Sequence, residues 1–83
     1  MNIGKKIYYG KSNGIVIWDK GEMSGSVRET TLEEDKAVMP LLQMVDANEL
    51  GICQLEYGAY ATEFATCKAY KINTATGLPE FLF

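Results

Sequence analysis

Apolar and polar positions along the chain predict two strands, a helix, a strand, a second helix and two closing strands. Ile3 to Gly10 carries Ile7, Tyr8 and Tyr9, the β-branched and aromatic residues that suit a pleated surface. Lys11-Ser12-Asn13-Gly14 is the turn, because Asn-Gly accepts positive φ at both central positions of a tight hairpin. Ile15-Val16-Ile17-Trp18 is the return strand. Alternation places Ile15 and Ile17 on one face and Val16 and Trp18 on the other, so both faces call for cover from a core or a partner.

The pattern breaks from Asp19 to Gly25, where Gly21 and Ser24-Gly25 are turn residues. Val27 to Glu29 predicts a brief extended stretch. Thr31 and Glu34 have the spacing of a capping box, and Glu33, Glu34 and Asp35 fall in the first turn, where the helix dipole favours acids. A helix follows over about Leu32 to Gln43. Its Leu32, Asp35, Met39 and Leu42 share one face, apolar except for Asp35. Pro40 opposes that helix: it removes a backbone donor and disfavours helical geometry at Met39, so the helix ends or kinks there.

Gly51 to Tyr57 alternates, with Ile52, Gln54 and Glu56 against Cys53, Leu55 and Tyr57, as in a strand with one wet side. Tyr60, Phe64 and Cys67 then recur at helical spacing and predict a short amphipathic helix. Ala69 to Ile72 is a strand, Thr74-Ala75-Thr76-Gly77 a turn, and Leu78 to Phe83 the return. Pro79 lacks a ladder donor, which places this last strand on an edge. Laying Gly14 over Gly77 pairs Ile7, Tyr9 and Trp18 with Tyr70, Ile72 and Phe81, a match of turn physics too short to be a repeat. The expected fold is therefore one α+β domain over 1–83, ordered ββαβαββ. A mainly antiparallel sheet carries one longer and one short helix on one side.

Composition narrows the function. Apolar residues make up 47%, too many for disorder, and no run reaches the length of a membrane span. Net stability is expected on the order of 3–5 kcal/mol for a chain of this size. The net charge of −3 is unevenly placed. Residues 1–20 hold four lysines against Asp19, whereas residues 21–63 hold nine acids against Arg28 and Lys36. An acidic middle argues against nucleic acid as a partner, since phosphate contacts need clustered cations. Lys5 and Lys6 are followed by no apolar run of signal-peptide length, so Cys53 and Cys67 are expected reduced and packed as small hydrophobes.

Catalytic chemistry is poorly served. With no histidine, the common triads, dyads and metal-histidine sites are out of reach, and two cysteines do not complete a structural zinc set. Glu33, Glu34 and Asp35 are adjacent at a helix start and do not converge as paired acids across a cleft. No catalytic, cofactor or metal residue is assigned, and a non-enzymatic protein is expected. The aromatic residues carry more. Tyr and Trp are over-represented at protein interfaces. Tyr9, Trp18, Tyr57 and Phe83 are the candidate contact residues, for a protein partner or a second copy of the chain.

The segments IYYGKSNGIVIWDKGEMSGSVRETTLEED and LGICQLEYGAYATEFATCKAYKINTATGLPEF resemble small proteins encoded in the tail modules of siphophages and prophages of Gram-positive bacteria. These are products of unassigned role that lie near the tail-spike gene, as in Bacillus siphophages. The IWDKGEMSG turn, the VRETTLEED helix start and the QLEYGAYATEF junction carry the resemblance, which spans nearly the whole chain. It implies a structural or interaction module of a tail tip, baseplate or receptor-binding assembly. Such a module is made in the host bacterial cytoplasm and joins the virion tail if it is a particle component. Two alternatives stand beside it. One is a non-virion effector that binds a host protein through the acidic helix Leu32–Gln43. The other is a carbohydrate-binding module.

Overall fold

Ile7 and Tyr8 are neighbours in sequence, and both are fully buried. Consecutive strand residues face opposite sides of a sheet, so the strand that holds them needs a core on each side. In chain order, the computed structural model, which describes residues 2–83, has β1 (Asn2–Ile3), β2 (Lys6–Gly10), β3 (Val16–Asp19) and β4 (Met23–Ser24). Then follow α1 (Leu32–Val38), a 3₁₀ turn (Pro40–Met44), β5 (Leu50–Gln54), α2 (Ala61–Thr66), β6 (Ala69–Ile72) and β7 (Pro79–Leu82). The fold is α+β with antiparallel pairing throughout. β2 is the middle strand of the order β3-β2-β5, while β1 pairs β4 and β6 pairs β7 in sheets of their own.

The two sides of β2 bury different things. On the Tyr8 side lie Leu42 and Leu50, with Leu32, Met39, Val45, Ile17 and Trp18 packed against them. On the Ile7 side lie Cys53, Leu55 and Ile72, with Tyr9, Val16, Ala59, Phe64 and Tyr70 around them. The expected arrangement of both helices on one side of one sheet gives way to this. α1 supplies Leu32 to one cluster and α2 supplies Phe64 to the other. β6 and β7 form a separate hairpin rather than extending the central sheet. Both cysteines are free, Cys53 buried and Cys67 half-buried.

A bulge also changes which residues of β3 face inward. Tyr8 pairs with Trp18 and Tyr9 with Val16, so Ile17 has no opposite number. The extra residue breaks the period of two. Ile17 and Trp18 consequently pack on the same cluster, Val16 packs on the other, and Ile15 is left exposed. Strict alternation had set Ile17 apart from Trp18.

The first hairpin does not use a two-residue Asn-Gly turn. Gly14 alone takes positive φ, at 72°, and its N–H donates to Gly10 O at 2.7 Å across a longer loop. Asn13 Oδ1 instead accepts from Ile15 N at 2.9 Å. The last hairpin repeats this geometry: Gly77 has φ 73°, and its N–H donates to Asn73 O at 2.7 Å. Gly14 O further accepts from Ile72 N at 2.9 Å, which ties the closing hairpin to the first turn.

The capping box at Thr31 forms as its spacing predicts, with Glu34 N–H on Thr31 Oγ1 and Thr31 N–H on Glu34 Oε1. Arg28 grips Glu34 from the loop and pulls its carboxyl down to about 2. The helix stops at Val38, one residue before the φ −119° of Met39 that Pro40 imposes, and the chain resumes as the 3₁₀ turn. Val27 to Glu29 forms no strand; Met23–Ser24 pairs with Asn2–Ile3 instead.

Candidate functional site

Two features stand out beyond ordinary packing. The first is an aromatic end built by α2, β6 and β7. Phe81 is its hub: its ring centroid lies 5.0 Å from Phe64, 5.7 Å from Tyr60, 6.1 Å from Tyr70 and 6.2 Å from Phe83. Phe64 meets Phe81 and Tyr70 edge-on, the favoured geometry for aromatic quadrupoles. Lys5 Nζ sits 4.3 Å from the centre of the Phe64 ring. Tyr60 opens the end of the cluster with φ 58°, the only positive φ at a non-glycine among the described residues. A bulky side chain rarely adopts that conformation, so packing must hold it there.

This end is not closed. Phe83 and Leu82 are each 63% exposed, and Leu78 is 46% exposed. Phe83 follows the Phe81 side of β7, while Leu82 faces the other way. There an open concavity of about 390 Å³ is lined by Ala69, Tyr70, Lys71, Glu80, Phe81 and Leu82. Among the described residues β7 pairs only with β6, which leaves its other edge unpaired, and Pro79 withholds one donor from that edge.

The second feature is a buried ionic centre on Asp35, which is 1% exposed. Its Oδ1 accepts from Lys20 Nζ at 2.9 Å and from Thr30 Oγ1 at 2.6 Å. Its Oδ2 accepts from Lys6 Nζ at 2.9 Å and from the Tyr8 hydroxyl. Lys6 also donates to Thr30 O, and Lys20 to Thr30 Oγ1. Burial alone would raise the Asp35 carboxyl. The donors from Lys20, Thr30, Tyr8 and Lys6 outweigh burial and hold it well below the usual carboxylate range.

The opposite face carries a smaller counterpart. Asp19 accepts from Lys5 Nζ at 3.0 Å, from the Tyr70 hydroxyl at 2.6 Å and from Gly21 N at 2.9 Å. Burial and the Asp19 carboxylate both push the Tyr70 hydroxyl upward. Asp19 gathers one lysine and one tyrosine, whereas Asp35 gathers two lysines, a tyrosine and a threonine. Neither presents a nucleophile paired to a base, and among the described residues no group of three or more His, Cys, Asp or Glu is placed to hold a metal ion.

The four candidate contact residues are not brought together. The Tyr9 ring lies over Gly51, where a Cβ would come within 2.4 Å of it. Trp18 stacks on Tyr8 with 6.0 Å between centroids and 7° between planes, on the far side of the sheet from Tyr9. Tyr57 is exposed in the loop after β5, and Phe83 stands at the aromatic end. The Asp35 centre was not anticipated as a unit. Its one signal was an acid on an otherwise apolar helix face, in a chain whose first twenty residues hold spare lysines. No helix of the described residues is long and apolar enough to cross a membrane. Comparison with family models, curated proteins and solved structures returns no match to this chain.

Proposed function

We propose that this chain is a non-enzymatic interaction module that docks a protein partner through the aromatic end. The observation that carries this is the open end of the Phe81 cluster. Phe83 and Leu82 are largely exposed on opposite faces of a strand whose outer edge is unpaired among the described residues. Exposed apolar side chains on an unpaired edge are a costly surface unless something covers it. The left-handed Tyr60 beside it fits strain held at a contact site. Tyr9 and Trp18 pack on opposite faces of the central sheet, and Trp18 takes no part in this surface.

The resemblance to tail-module products suggests the partner: another protein of a phage tail tip, baseplate or receptor-binding assembly, with synthesis in the host cytoplasm. Quantitative mass spectrometry of particles from the phage or prophage that encodes the chain tests this. A small fixed ratio to the major tail protein, lost when Phe83→Lys is introduced, is the expected result. Absence of the wild-type chain from particles, with the chain abundant in the infected cell, would overturn it. The acidic-helix effector is less favoured, because Glu34 is already engaged by Arg28 and Asp35 faces inward.

A further inference from the structure

Asn13-Gly14 is the one asparagine–glycine pair in the chain; Asn2, Asn48 and Asn73 precede Ile3, Glu49 and Thr74. A backbone nitrogen attacks the side-chain carbonyl of the asparagine before it most readily when it belongs to glycine, because no Cβ crowds the approach. The fold places the two reacting groups in different surroundings. Asn13 is exposed, whereas Gly14 is buried. The Gly14 N–H donates to Gly10 O at 2.7 Å, and Gly14 O accepts from Ile72 N at 2.9 Å. The closing hairpin sits so near that a Cβ at Gly14 would lie 2.0 Å from Ile72 O. Asn13 Oδ1 is held as well, accepting from Ile15 N at 2.9 Å. Solvent thus reaches the asparagine, while the attacking nitrogen is bonded and covered.

We propose that Asn13 is a site of spontaneous deamidation, and that docking of the closing hairpin on the first turn sets its rate. When Ile72 lifts from Gly14, solvent base takes the Gly14 amide proton. The Gly14 nitrogen then bonds to Asn13 Cγ, the Cγ–Nδ2 bond breaks, and Nδ2 leaves as ammonia with that proton. One water opens the resulting cyclic imide at either carbonyl, giving aspartate or isoaspartate. Both products add a negative charge, and isoaspartate also adds a backbone atom to the turn. The lengthened turn no longer aims Gly14 O at Ile72 N, so the closing hairpin is held less firmly afterwards. The site is separate from the aromatic contact surface and stands whether or not a partner docks there.

The test incubates the intact chain at mildly alkaline pH and follows the mass gain at each asparagine by peptide mapping. Asn13 is expected to react ahead of Asn2, Asn48 and Asn73. It should react about tenfold more slowly in the folded chain than in urea, as a reaction confined to an opened state does. Gly77→Ala strains the closing hairpin without touching Asn13-Gly14, and should speed the reaction severalfold in the folded chain but not in urea. The isoaspartyl form should show faster amide exchange at Ile72. Equal rates in the folded and unfolded chain, earlier reaction at another asparagine, or a folded-state rate that Gly77→Ala leaves unchanged would overturn the proposal. If Gly77→Ala does not fold, the folded–unfolded contrast and the Ile72 exchange decide.

Discussion

Lys6 and Lys20 approach the two oxygens of one buried carboxylate, each at 2.9 Å from Asp35. That relationship pins three segments together: β2, the loop after β3 and the start of α1. Breaking a buried ion pair by removing one partner costs about 3–5 kcal/mol, because the other charge stays buried. Asp35→Ala leaves two such charges. It should therefore remove most or all of the chain's stability, measured as the urea midpoint. Tyr8→Phe removes one charge-assisted hydrogen bond and should cost about 1.5–3 kcal/mol. A smaller loss in Asp35→Ala than in Tyr8→Phe would contradict the assignment.

The same centre sets an acid limit. Asp35 and Asp19 are held low in the folded chain: burial opposes this, but the hydrogen bonds from Lys20, Thr30, Tyr8 and Lys6, and from Tyr70 and Lys5, prevail. An unfolded aspartate titrates near ~3.9. Below that value the unfolded chain binds more protons than the folded one, so stability present at neutral pH is lost as pH falls. The urea midpoint should fall below about pH 4 and should fall less steeply in Asp35→Asn.

An alkaline limit runs the other way. Burial and acidic neighbours raise Tyr8 and Tyr70, and the bond to Asp35 raises Lys6 despite its burial. Groups with raised folded values contribute stability that is complete below their unfolded values and lost as pH rises through the folded ones. The decline should begin near pH ~10. A tyrosinate absorbance titration should show Tyr8 and Tyr70 ionising late, with the unfolding transition.

Gly14 and Gly77 separate backbone strain from crowding. Their φ values are 72° and 73°, so alanine costs each about 1–2 kcal/mol from conformation alone. At Gly77 an added Cβ meets nothing within 4 Å, whereas at Gly14 it lies 2.0 Å from Ile72 O. Gly14→Ala should be clearly the more destabilising and should loosen the terminal hairpin. Amide exchange at Ile72, whose N–H donates to Gly14 O, reports that loosening.

Much of this fold is legible from local chemistry. The Thr31 capping box, the stop that Pro40 imposes at Met39, and the wet Ile52 and Gln54 side of β5 all follow from adjacent residues, although β5 ends at Gln54 rather than at Tyr57. What escapes the sequence depends on distant partners. The bulge at Ile17 is a property of the β2–β3 register, and no residue of β3 announces it. The two-sided core follows from β2 being central, although Ile15–Trp18 looked the more apolar strand. Asp35 shows in the pattern as an anomaly, yet its four donors come from three segments. The aromatic end was half visible: Phe83 was among the candidate contact residues, while Phe81, its hub, was not.

The open end of β7 is the proposed contact surface. Carbene footprinting compares the dilute purified chain with the chain in lysate of the cells that make it, and reads this residue by residue. Labelling of Tyr60, Leu78, Leu82 and Phe83 should fall severalfold in the lysate, with Glu33 and Lys36 of α1 unchanged. Unchanged labelling at those four residues, or protection along Leu32–Val38 instead, would contradict it.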